Sequence, residues 1–115
     1  MARLRKARND RIHVIYAITN IVTNEQYIGL TVATGGVKRA LHVRMQKHLE
    51  RARNELKSWG LCANLRSYGT ECFEYGALLT VRGKRAAHAI ETGLIHSHCP
   101  ALNTASKRNE YEIDM

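Results

Sequence analysis

His13-Val14-Ile15-Tyr16-Ala17-Ile18-Thr19 runs into Asn20-Ile21-Val22-Thr23-Asn24-Glu25-Gln26 and continues as Tyr27-Ile28-Gly29-Leu30-Thr31-Val32. The outer runs are rich in β-branched and aromatic residues and the middle holds turn formers, so the stretch reads as strand, tight reversal, strand. A hairpin there brings Tyr16 and Tyr27 near one point on a sheet surface. Two phenols so placed can position a water molecule and a phosphate, which is chemistry rather than packing.

Thr34-Gly35-Gly36 then breaks the strand pattern and leads into a helix from Val37 to about Lys57. Val37, Leu41, Met45, Leu49, Ala52 and Leu56 recur every three or four residues as its apolar stripe. The opposite surface carries Lys38, Arg39, Arg44, Lys47, His48, Arg51 and Arg53. A shorter helix is expected over Leu61–Ser67, ending at Tyr68-Gly69 with glycine as a left-handed cap. Glu71–Arg82 reads as a third strand. Lys84 to about His98 reads as a last helix, with Ala87, Ile90, Leu94 and Ile95 on one side and Pro100 ending it. These elements predict an α+β fold, a small three-stranded antiparallel sheet flanked by helices. A basic arm over residues 1–11, one domain over 12–105 and a polar tail over 106–115 complete the organisation; no repeat or low-complexity tract is present.

The chain has 115 residues, with 18 Lys and Arg against 10 Asp and Glu, a formal charge of +8 and a sequence pI near 9.8. That balance points to a polyanionic partner, and for a compact domain to nucleic acid before an anionic membrane surface. Arg3, Arg5 and Lys6 of the arm, and Lys38, Arg39, Lys47 and Arg51 of the long helix, are the candidate contacts. Cys62, Cys72 and Cys99 form no pairing pattern, so a reducing cytosol is expected rather than a disulfide framework. No signal peptide is readable, and no run approaches the ~18 apolar residues that span a bilayer. A cytoplasmic protein is the expectation.

Arg44 and His48 are four apart on the long helix and so share a face, beside the apolar stripe. An arginine there can grip phosphate with a planar fork. Glu91 sits among apolar residues in Ala89-Ile90-Glu91-Thr92-Gly93-Leu94-Ile95, where a carboxylate needs a metal ion or an arginine as partner. Magnesium takes only one or two protein carboxylates and completes its shell with water and substrate phosphate, so one glutamate suffices. Asn103, just past Pro100, is placed to fold back and bond a ligand or the backbone. His88, His96, His98, Cys99 and Cys62 suggest zinc more weakly, because no Cys-x-x-Cys pair exists and histidines two apart on a helix diverge.

The order Tyr16, Tyr27-Ile28-Gly29, Arg44 with His48, Glu91 and Asn103 resembles the GIY-YIG nuclease domain, over about residues 12–105. The resemblance implies a phosphodiester hydrolase that cuts DNA with one divalent metal, Mg2+ or Mn2+, leaving 5′-phosphate and 3′-hydroxyl ends. It implies that Tyr16 or Tyr27 activates or places the attacking water and that Gly29 allows close packing. It also makes Arg44 the phosphate-stabilising arginine, His48 its companion one turn later, Glu91 the metal carboxylate and Asn103 a residue holding the site together. Val14 stands where the first motif has glycine. The span from Tyr27 to Arg44 is enlarged around Gly35-Gly36, which makes Arg39 a rival for the arginine role. Arg44 is preferred because a histidine follows it at helical spacing. A small phage- or mobile-element-type nuclease is the expectation, with target choice residing in the arm, long helix or loop, or in a homodimer or partner protein. A basic DNA-binding protein with the same fold and no turnover is the alternative.

Overall fold

A computed structural model describes residues 11–54 and 60–103. The hairpin forms as strands β1 (Ile12–Asn20) and β2 (Gln26–Val32). Helices α1 (Val37–Asn54) and α2 (Gly60–Tyr68) follow, then a 3-10 turn (Thr70–Cys72), strand β3 (Phe73–Arg82), helix α3 (Lys84–His98) and a last 3-10 turn (Ala101–Asn103). The sheet is antiparallel throughout in the order β2-β1-β3, so the architecture is α+β, three strands with three helices.

β1 lies between two neighbours and is buried along almost its whole length, both alternating sets of side chains included. Val14, Tyr16 and Ile18 enter the main core with Leu41, Met45 and Ala52 of α1, Leu61, Cys62 and Leu65 of α2, Phe73 and Leu102. Val14, at 0% exposure, is therefore a core side chain. α3 packs across all three strands. Two edge strands flank β1, and β3 is exposed along most of its length, with Tyr75 and Leu78 open to solvent. Its pairing with β1 shifts between Ile15 and Tyr16, because Leu79 opposes Ile15 while Ala77 opposes Tyr16. Leu78 is thus the extra residue of a bulge, which switches the face each later β3 residue presents.

Several expectations change in detail. The third strand starts at Phe73, because Gly69 turns the chain and residues 70–72 close a 3-10 turn through Cys72 N–H to the Gly69 carbonyl. Gly69 has φ 87° but ψ 159°, a conformation that only glycine adopts readily, yet not the left-handed helical cap. α3 ends instead on Cys99 in the left-handed region, its N–H bonded to the Ile95 carbonyl. Ile90, expected on the packed side of α3, is 38% exposed. Leu56 and Lys57 of the expected long helix, the arm residues Arg3, Arg5 and Lys6, and the tail over 106–115 lie outside the described residues. Among the described residues, no helix is long and apolar enough to cross a membrane.

Candidate active site

The pairing of β1 with β2 sets Tyr16 opposite Gly29 and Ile18 opposite Tyr27. Residues two apart on a strand share a face, so both phenols rise from the same side of the sheet. Their ring centroids are 6.2 Å apart. Gly29 makes the room: a Cβ there would fall 2.5 Å from Tyr16 Oη and 2.8 Å from a ring carbon of Tyr27. Its φ lies outside the positive region, so close approach is what calls for glycine here.

From above, α1 lowers two side chains onto the same phenol. Arg44 Nε donates to Tyr16 Oη at 3.3 Å. His48 Nε2 lies 2.9 Å from that oxygen, and its ring meets Tyr27 edge-on, with centroids 5.2 Å apart. Tyr16 Oη is the hub of the cluster. His48 does not belong to the basic outer surface on which its residue type would put it. At 2% exposure it is inside, because positions 41, 45, 48 and 52 step by four, three and four along one helical stripe. His48 Nδ1 is buried without a hydrogen-bond partner.

The electrostatics follow from this burial. Burial lowers the His48 pKa from 6.5 to about 4, helped by Arg44 and Arg51, so the imidazole is neutral at physiological pH. Burial raises both phenols. For Tyr16, hydrogen bonds from Arg44 and the Tyr27 hydroxyl, together with the Arg44 charge, pull back toward ionisation. For Tyr27, the Tyr16 neighbour pushes further up. The network is polarised toward Tyr16 as the oxygen better able to carry negative charge.

Glu91, on α3, lies close enough to the cluster to act electrostatically on both phenols. Its side chain is 19% exposed, and burial raises its pKa despite His88 and Arg44. His88 Nδ1, one turn earlier, is 3.6 Å from Glu91 Oε1. Asn103 folds back as expected, and its partner is backbone: Nδ2 donates to the Ile28 carbonyl and Oδ1 accepts from the Ile28 N–H, both at 2.8 Å.

The sequence candidates Tyr16, Tyr27, Arg44 and His48 therefore meet in one cluster, Glu91 lies within electrostatic reach of it, and Asn103 braces the strand beneath. Arg39 does not reach Tyr16; it lines a groove beside the site with Arg44 and Lys47. Lys38 borders a different groove, with Tyr75 and His42. Compared with known proteins, the chain matches no family model, no curated protein and no solved structure. Its site is read from its own geometry.

Hard oxygen donors suit Mg2+ or Mn2+, and the half-buried Glu91 carboxylate is such a donor beside two phenols and an arginine. One carboxylate suffices for an ion whose shell is completed by water and phosphate; among the described residues, no three His, Cys, Asp or Glu side chains converge. Of the residues weighed for zinc, Cys62 is buried in the core while His96, His98 and Cys99 are exposed around the end of α3. His88 as the neighbour of Glu91, and Thr31 and Thr34 beside Arg44, were missed. The i,i+3 spacing of His88 and Glu91 was the available signal for the first; the threonines meet α1 only in three dimensions.

Proposed function

We propose that the chain is a metal-dependent endonuclease that hydrolyses phosphodiester bonds in DNA to 5′-phosphate and 3′-hydroxyl ends, in the manner the GIY-YIG resemblance implies. The observation that carries this reading is the convergence of Arg44 and His48 on Tyr16 Oη, with Glu91 of another helix within electrostatic reach of it.

Tyr16 is the water-positioning group. With its proton on Nε2, neutral His48 donates to Tyr16 Oη and leaves Nδ1 as a bare lone pair, cheaper to bury than a stranded N–H. Arg44 Nε–H and the Tyr27 hydroxyl then complete a set of donors around the developing phenolate. The phenolate takes a proton from water, the water oxygen bonds to phosphorus, and the bond to the 3′ oxygen breaks with its electron pair on that oxygen, which takes a proton from solvent to give the 3′-hydroxyl. Arg44 has one N–H on Tyr16, and its terminal nitrogens remain for the phosphate, so one side chain couples base and substrate. Glu91 would hold the divalent ion, which would supply Lewis-acid stabilisation of the negative charge that develops in the reaction. Asn103 holds the strand that carries Tyr27, and Gly29 leaves room for both phenols.

Supercoiled plasmid incubated with Mg2+ or Mn2+ tests the proposal, with product ends mapped. Nicking that is lost in Glu91→Ala and Arg44→Ala, each folded by circular dichroism, supports it. A mobility shift with no cleavage under any divalent ion overturns it in favour of a DNA-binding protein.

A further inference from the structure

A groove of about 350 Å3 opens directly beside the tyrosine cluster, between the end of β2 and the outer side of α1. Arg39, Arg44 and Lys47 line one wall, Thr31 and Thr34 the other, and Val43 lies between the cations; among the described residues, no carboxylate borders it. Arg39, Val43 and Lys47 are at i, i+4 and i+8, which sets them in one row along the helix. At ~1.5 Å per residue the row spans about 12 Å. A DNA strand carries one charge per ~3.4 Å of duplex axis, so the row is roughly three phosphates long.

We propose that this groove seats the sugar–phosphate backbone of the DNA strand next to the bond being cut, with Arg39 and Lys47 on flanking phosphates and Arg44 shared with the scissile one. Thr31 and Thr34 add hydroxyl donors, the usual neutral partners of phosphate oxygens. Val43, 42% exposed between two cations, offers an apolar contact for deoxyribose carbons that a simple anion site does not need. The groove therefore selects a polymer over a small phosphate ester. The proposal rests on the nuclease reading for the identity of the scissile phosphate, but binding alone tests it.

The experiment is fluorescence anisotropy of a short labelled DNA duplex with the full chain, in chelator so that nothing is cleaved, across a salt series. Three proteins are compared: the unaltered chain, the double variant Arg39→Ala/Lys47→Ala, and Lys84→Ala/Arg85→Ala, which removes equal charge from the start of α3. All four positions are exposed. Losing two phosphate contacts should flatten the log–log salt slope by about two and weaken binding roughly tenfold at moderate salt. The α3 variant should keep the original slope. Equal losses in the two variants, or no loss in the Arg39/Lys47 variant, overturn the seat. Inorganic phosphate displacing the duplex as effectively, per phosphate, as unlabelled duplex also overturns it in favour of a plain anion site. Plasmid cleavage retained alongside unchanged duplex binding sinks the groove and leaves the nuclease reading standing. A chain that never cleaves but shows the expected slope change keeps the groove and loses the nuclease.

Discussion

Asn103 holds Ile28 by both backbone atoms, across 75 positions of sequence, with two hydrogen bonds of 2.8 Å. β2 is an edge strand, and this amide takes the place of a missing neighbour beside Tyr27 and Gly29. Asn103→Ala leaves both Ile28 groups without a partner and should cost about 1–3 kcal/mol. Asn103→Asp keeps the bond from the Ile28 N–H but sets a second acceptor against the Ile28 carbonyl. It should be at least as unstable as the alanine variant at neutral pH. Urea unfolding measures both, and a more stable aspartate variant would refute the clamp.

Gly29→Ala should damage the site more than the fold. The added methyl falls on Tyr16 Oη, the atom on which Arg44 and His48 converge. Either the Tyr16 ring or β2 must shift, and a displacement near 1 Å at reacting groups can cost about a hundredfold in rate. Plasmid nicking is expected to fall by that order while the circular dichroism spectrum is kept. Near-normal cleavage by this variant would show that the two tyrosines need not meet as described.

The residues that were legible and those that were not divide along a physical line. Tyr16 and Tyr27 could be placed because strand periodicity and turn chemistry are local, and the register of a tight hairpin follows from them. Arg44 could be placed on α1, but not against Tyr16, since that contact depends on how helix and sheet cross. The basic residue type of His48 points to the solvated face, whereas its helical spacing puts it in the core stripe between Met45 and Ala52. Asn103 was rightly expected to fold back, but Ile28 as its partner depends on which strand lies at the sheet edge. The Leu78 bulge and the groove at Thr31 and Thr34 are tertiary outcomes with no local signature.

Buried His48 makes a defined contribution to acid instability. Its folded pKa is depressed to about 4 from 6.5. Between those values the unfolded chain binds a proton that the folded chain excludes, so stability must fall as pH falls from about 6.5 to about 4 and level off below. The full loss from this one group is about 3 kcal/mol. His48→Gln keeps an N–H donor for Tyr16 and removes the titration, so its stability curve should be flatter over that window. Chemical unfolding at a series of pH values checks this, and parallel curves for the two proteins would count against a buried neutral imidazole.

The two phenols should separate cleanly in kinetics. Tyr16 accepts the bond from Arg44 and is drawn toward ionisation by it and by the neighbouring Tyr27 hydroxyl, whereas Tyr27 is raised further by Tyr16. Tyr16→Phe removes the proposed base and should lower cleavage by about 10²–10⁴-fold. Tyr27→Phe removes only a group that favours the proposed anion, so its loss should be smaller and nearly constant with pH. Because burial raises Tyr16 above its ordinary value, its anion is scarce at neutrality, and cleavage by the unaltered chain should climb with pH from 6.5 to 9. The Tyr27→Phe profile should run parallel to it and lower, since one of the groups favouring the anion is gone. Single-turnover rates at saturating Mg2+ across that range report the chemical step. A flat profile, or a Tyr16→Phe protein that cuts while Tyr27→Phe does not, would transfer the role of base to the other phenol or to a group outside the pair.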